Sequence, residues 1–453
     1  MIVDRSRLPD PGPPRPFEFP AVEKSRVANG LGIWTVRHPQ VPVVAFALLV
    51  RRGAADDPPG QEGLAALTAD MLDEGSGDRS AIEMHEALAR VGAQLDTDIG
   101  SDATIVAVST LTRYADRALA LLADIVARPA LRGDDFDRVR QLRLHRLVQL
   151  RDAPSAVADR VFIKLVYGDH PYGHTPIGTE PALGGLRVED VRAFHARGVR
   201  PELSTLIAVG DCHHDSIVSA AREAFGGWSG EGASGEAVER ALPHPGRINV
   251  VPRPGAPQSE LRIGHVAVAR DTPDYHAIIA ANMVLGGQFV SRLNLNLRED
   301  KGFTYGARTA FDFRRRPGPF VLQVSVQTSA TARAIQESLG EIAAIRGTRP
   351  ITPAELGLAN AALTRGYARN FETAEQIARG VMQLALYELP DDYFAQFVPR
   401  MERVTTDEAT AAMARYVDPA RLTTLIVGDL DVVGQELAGL GLGDPVILSA
   451  ETF

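Results

Sequence analysis

The feature that most constrains this 453-residue chain is that its two halves repeat one another. Leu203–Asp211 reads LSTLIAVGD and Leu422–Asp429 reads LTTLIVGD, an apolar strand running into Gly-Asp in both cases. Gly75 answers to Gly286, Gly92 to Gly302 and Gly210 to Gly428, at separations of 211, 210 and 218 positions. Offsets this steady over otherwise unlike sequence indicate a duplicated unit of about 210 residues. Between the copies, residues 226–246 run from GGWSGEGASGE to LPHPG, and their Gly, Ser and Pro content reads as a linker. The expected division is a proline-rich, extended arm at 1–20, a first domain at 21–226, a linker at 227–246 and a second domain at 247–453.

Within the first copy, Gly32–Arg37 and Val43–Val50 read as strands, the second apolar on both faces and therefore buried on both. Leu64, Leu67, Met71 and Leu72 recur at helical spacing, which predicts a helix over Gln61–Ser76. A helix at Ala81–Val91 closed by Gly92, strands at Ala93–Asp98 and Ala103–Thr110, and helices at Arg113–Ala127, Asp134–Arg151 and Val188–Arg197 follow, ending in the strand Ser204–Gly210. The second copy reads as a strand at Gly264–Val268, helices at Pro273–Leu285 and Phe289–Asp300, strands at Tyr305–Phe313 and Phe320–Val326, then three or four helices. The pattern predicts an α+β fold of two homologous domains, each a mostly antiparallel sheet with helices packed on one face.

A net charge of −9 argues against a general nucleic-acid binder. The single cysteine, Cys212, excludes an intrachain disulfide and has no His/Asn context for a nucleophile. The most apolar run, Val41–Val50, is too short to span a bilayer. Acid, base and proline stand where a signal peptide would be apolar, so a cytoplasmic protein is expected, or a periplasmic one if the N-terminus is incomplete. His85-Glu86 meets Ala89 where a His-Glu-x-x-His motif would close; His213-His214 read as a solvated loop; His170 and His174 flank Pro171-Tyr172-Gly173 and read as structural. No phosphate-cradling glycine loop is present.

Several segments together resemble the pitrilysin/insulinase (inverzincin) zinc peptidases. They are Asn29-Gly30-Leu31, the Gly60–Gly63 approach to the first helix, His170-Pro171-Tyr172-Gly173, Ile177-Gly178-Thr179-Glu180, and Leu285-Gly286-Gly287 through Ser291-Arg292-Leu293 to Leu297–Tyr305. In that family the first helix carries His-x-x-Glu-His, two metal ligands flanking a general base. Here those positions are Ala66, Ala69 and Asp70, and the third ligand, a glutamate, falls near His145 or Arg146. Alanine can neither ligate nor accept a proton, so the resemblance implies a chain without a metal cofactor of its own. The family's second-domain Arg and Tyr, which hold substrate and stabilise the tetrahedral intermediate, fall on Arg298 and Tyr305. The resemblance therefore implies a non-catalytic subunit of a heterodimeric zinc metallopeptidase. Its partner is a homologous subunit that binds the zinc, and its substrate is an unfolded peptide added as a strand along Gln94, Leu95, Asp96, Thr97, Asp98 and Ile99. Two alternatives stand beside it: a homodimeric peptide-binding or assembly scaffold, and an active peptidase using Asp70 and His145 in an atypical metal site.

Overall fold

The computed structural model describes residues 17–230, 242–243 and 246–449, so most of the expected arm and most of the expected linker lie outside the described residues. The first copy supplies β1 (Glu23–Arg26), β2 (Gly32–Arg37), β3 (Val43–Val50), a two-stranded ribbon of β4 (Gly75–Ser76) and β5 (Arg79–Ser80), then β6 (Gln94–Ile99), β7 (Thr104–Leu111) and β8 (Ser204–Gly210). The second supplies β9 (Ile248–Pro252), β10 (Gln258–Val268), β11 (Ala307–Phe311), β12 (Gly318–Gln327), β13 (Thr423–Gly428) and β14 (Val446–Ile447). The two six-stranded sheets have orders β1-β2-β8-β3-β7-β6 and β11-β12-β10-β13-β9-β14. Read inward from β6 and from β11, five strands follow the same order. β2 with β8 and β9 with β13 are the matching parallel pairs, and the other three pairings of each five-strand run are antiparallel. The duplication is thus a duplication of topology, and the α+β expectation holds.

The helices explain why β3 is apolar at every position. On one face of the first sheet, Val44, Phe46 and Leu48 pack on helices α2 (Ala81–Arg90) and α3 (Ala115–Ala127) and on the helix His214–Phe225. On the other face, Ala45, Ala47, Leu49, Ile207 and Val209 receive Ala374, Ile377, Ala378 and Val381 of the helix Ala374–Tyr387, which belongs to the second copy. The exchange is mutual. After α4 (Gly133–Arg151), α5 (Pro154–Tyr167) lays Val157, Val161 and Phe162 against Val251, Val266, Val321 and Leu425 of the second sheet. Each sheet is covered on one side by its own helices and on the other by a helix of its twin. Burying one Val, Ile or Leu contributes about 1.5–3 kcal/mol. Uncovering five of them on either face therefore costs on the order of the whole net stability of a typical domain.

Polar contacts add to this joint. Tyr172, from the His-Pro-Tyr-Gly loop, donates its hydroxyl to Asp102 in the β6–β7 turn and accepts from the Arg316 amide at 3.2 Å. Asp102 also accepts from the Arg315 amide at 2.9 Å, and the Tyr167 hydroxyl donates to the Pro317 carbonyl at 2.7 Å. The structural reading of this loop is correct, and what it holds is one half against the other. The arm is also held where it is described. Phe17 stacks on Phe371 at 5.0 Å, and Phe19 meets Phe371 and Phe394, so this end of the chain packs on the second copy.

Four expectations need correction. The helix expected over Gln61–Ser76 is α-helical only as α1 (Leu64–Asp70). It ends early because Gly75 takes φ +103 to open the β4–β5 ribbon, where a Cβ would stand 2.7 Å from the Arg79 carbonyl. His214 does not lie in a solvated loop; it opens a helix, and its ring bonds Ser25 Oγ at 2.7 Å and Thr35 Oγ1 at 2.8 Å, tying β1 to β2. The helices expected at Pro273–Leu285 and Phe289–Asp300 include π-helical turns at Met283–Gly287 and Asn294–Asp300. Five α-helices, rather than three or four, separate β12 from β13.

Candidate functional site

The first half of the candidate site is the exposed end of α1. Asp57, whose side chain is fully buried, caps the helix by accepting from the Gly63 amide at 2.7 Å and the Ala65 amide at 2.6 Å. His174 lies 3.0 Å from the same carboxylate, which accounts for this histidine without a metal. Leu64, Leu67 and Met71 then anchor α1 against Phe136, Val139 and Leu147 of α4. Ala66 and Ala69 are 1% and 4% exposed, and their methyl groups offer no donor atoms.

Asp70 stands at the rim of a cleft of about 510 Å³, with Asp96 of β6 and with Arg143 and Arg146 of α4. Arg143 donates to its carboxylate through two nitrogens, Nε at 3.1 Å, and also to the Pro176 carbonyl at 3.4 Å. Desolvation in the cleft raises the Asp70 carboxyl above its ordinary range, while Arg143 draws it back. His145 is not there. It lines a separate cleft with Glu180 and Pro181, so the structure does not bring the expected Asp70–His145 pair together. The helical period gives the reason. Positions 139, 142, 143 and 146 share one face of α4, and residue 145 lies about 200° round from 143. Of the two positions matched to the third ligand, the one facing Asp70 is Arg146.

These residues do not fit a zinc ion. The positions matched to the metal motif supply one carboxylate, Asp70, already held by a guanidinium, with a second arginine beside it and methyl groups where imidazole and base would stand. Among the described residues, no three His, Cys, Asp or Glu side chains are grouped so as to hold a metal ion. The neighbouring strand β6 is the edge of the first sheet and, among the described residues, pairs only with β7. Leu95, Asp96 and Thr97 line the cleft, while Gln94, Asp98 and Ile99 continue the same edge. Among the described residues, one backbone side of β6 is therefore unpaired beside Asp70.

The second half of the candidate site is the Arg298–Tyr305 segment. Arg298 lies in the π-helical turn, with its guanidinium 4.1 Å from the Phe289 ring and 3.6 Å from Glu299. Among the described residues its Nη1 is buried without a hydrogen-bond partner. Tyr305 is 93% exposed, with its backbone fixed on both sides. Thr304 Oγ1 donates to the Ser325 carbonyl at 2.6 Å, and the Asn294 side chain exchanges bonds of 2.8 and 3.0 Å with Ala307. Arg292 belongs to the same signature and has a different task. It is buried and bonds Glu355 at 2.7 and 2.8 Å and the carbonyls of Arg349 and Pro350. Its bond lowers the Glu355 carboxyl to about 2, and Glu355 also closes the start of its own helix, Pro353–Thr364, by accepting from Thr352. Sequence reasoning missed Arg143 and the Asp57 cap. Arg143 was detectable from its spacing on α4; the cap depends on a loop path that no local pattern encodes.

Two sequence families match this chain. The insulinase (peptidase family M16) model matches residues 33–180, and the peptidase M16 inactive domain model matches residues 185–363. An uncharacterized zinc protease of Mycobacterium tuberculosis strain ATCC 25618 / H37Rv is 24% identical over 426 residues, covering 93% of this chain and 96% of that protein. An uncharacterized zinc protease of Mycobacterium leprae is 25% identical over 354 residues, covering 77% and 79%. Among solved structures, a peptidase M16 inactive domain from Pseudomonas fluorescens superposes with a TM-score of 0.84 at 23% identity, over 90% of this chain and 98% of that one. A protease from Helicobacter pylori superposes at 0.83 with 19% identity, over 90% and 99%. Among the described residues no helix is long and apolar enough to cross a membrane.

Proposed function

This chain belongs to the insulinase-like peptidase M16 family, and on that premise we propose that it is the non-catalytic subunit of a two-subunit zinc peptidase. A homologous partner with an intact motif would hold the zinc and the general base. This chain would lend Arg298 and Tyr305 to that site, where a fixed guanidinium and a phenol are pre-organised donors for a peptide carbonyl and its developing oxyanion. The observation that carries the reading is an asymmetry. The α1 face is closed by methyl groups and by the Asp70–Arg143 pair, whereas Tyr305 projects into solvent from a braced backbone. Unfolded peptide would add to the open edge of β6, whose cleft would help to hold it.

The test is reconstitution of the purified chain with a homologue carrying the intact motif. Peptide turnover is expected only in the mixture. Arg298→Ala or Tyr305→Phe in this chain should lower it by about 10²–10³-fold, the usual effect of removing one oxyanion donor. Unchanged turnover in both variants would end the proposal. The open β6 edge by itself favours a second reading, a homodimeric peptide-holding scaffold. That reading expects peptide binding by the isolated chain and indifference to Arg298 and Tyr305. A metal site of its own built on Asp70 and His145 is disfavoured by their placement in separate clefts.

A further inference from the structure

The second half contains a cavity of about 320 Å³ that the proposed reaction does not use. Its walls are aromatic: Tyr275, Tyr367, Phe371, Tyr393, Phe394 and Phe397. Tyr367 stacks on Phe397 at 4.5 Å and 6°, and Phe371 and Phe394 are themselves braced by the N-terminal Phe19. Gly380 makes the space. A Cβ there would stand 3.1 Å from Phe371 and 3.3 Å from Phe394. Two polar groups at the cavity lack partners among the described residues. Tyr367 is 7% exposed and its hydroxyl is buried with no hydrogen-bond partner among the described residues, a cost that a bound polar atom would remove. Arg379, which also lines the cavity, is exposed and makes no ion pair among the described residues.

We propose that this cavity binds a small aromatic carboxylate, its ring between the aromatic walls and its carboxylate on Arg379. The volume lies at the small end of ligand pockets, which suits one fused or single ring with a short acidic tail. Ring stacking and edge contacts would hold the body, the Tyr367 hydroxyl would meet a ring heteroatom, and the guanidinium would select the anion. The helix Ala374–Tyr387 supplies Gly380 and Arg379 to the cavity and turns Ile377 and Val381 to the first sheet. A ligand would therefore sit against the element that joins the two halves.

The test is calorimetric titration of the full chain with indole-3-acetate and, separately, with indole. The acid is expected to bind about tenfold more tightly than indole, as a charge-assisted contact requires. Arg379→Gln should erase that preference and leave indole binding intact. Tyr367→Phe, which removes an unpartnered hydroxyl and so keeps the fold, should weaken indole several-fold. Gly380→Val, which fills the cage, should abolish both; if that variant fails to fold, the first two decide. N-acetyltryptophan, a mimic of a peptide's last residue, should bind more weakly than indole-3-acetate. Tighter binding of it would assign the site to a chain end and overturn the proposal. So would no binding of either compound by the unmodified chain, or affinities unchanged by both Arg379→Gln and Tyr367→Phe. None of these measurements involves a second subunit, so the outcome is independent of the reconstitution experiment.

Discussion

The two halves share five strands in one order, yet their first helices meet opposite fates. In the first half α1 is short, capped by Asp57, and turns its chemically important face into alanine and a salt bridge. In the second, the corresponding stretch leaves the α-helical ladder in two π-helical turns and ends by placing Tyr305 in solvent. Packing on the sheet fixes where such a helix lies; it does not fix what the helix presents at its far end. Duplication kept the apolar pattern and left the two ends free to diverge.

The strongest way to break this comparison is to rebuild the missing chemistry. The combined variant Ala66→His, Ala69→Glu, Asp70→His and Arg146→Glu is expected to take up about one zinc per chain by elemental analysis, because three ligands would then converge beside the base. If the variant is folded and takes up none, the α1 face is not the equivalent of a metal site and the contrast fails. Next in size is Arg292→Ala, which strips the partner from Glu355 and unpairs two carbonyls; a loss of about 3–5 kcal/mol is expected by chemical denaturation. Arg298→Ala, the same change six residues on, should cost well under 1 kcal/mol, since that guanidinium packs on an exposed ring rather than in a buried network. Equal losses would erase the division of labour between the two arginines.

A pH titration sharpens the same point. The Glu355 carboxyl falls from 4.5 to about 2 on folding, so its contribution to stability is fully present above pH 4.5 and is lost as pH falls toward 2. Arg292→Ala should flatten that part of the stability profile, and Arg298→Ala should leave it unchanged. Smallest is a matched pair of tyrosines. Tyr172→Phe removes a buried, charge-assisted bond to Asp102 and should cost about 2 kcal/mol; Tyr305→Phe should change stability by less than about 0.5 kcal/mol. Measured midpoints in the reverse order would show that Tyr305 is packed rather than presented.

Much of this was legible in the chain. The Leu203–Asp211 and Leu422–Asp429 echo located β8 and β13, and the apolar run of β3 announced a strand buried on both faces. The edge position of Gln94–Ile99 also follows the sequence reading. What the sequence did not yield was tertiary. Nothing local in Pro154–Tyr167 or Ala374–Tyr387 says that its apolar face belongs to the other copy's sheet. The His145 error was avoidable, because the 100° step of a helix already separates it from Arg143 and Arg146. The end of α1 was not, because Gly75 acts through a ribbon whose partner strand is read only once the chain is folded.

The traded helices carry a further consequence. A helix lent in each direction between two like units is the exchange an isologous pair would make. A half-length unit standing alone would leave one side of its sheet wet and greasy, so it would need a second copy to cover it. Covalent linkage frees each copy from having to match the other, so one chain can keep a shared scaffold while its two ends take up different trades.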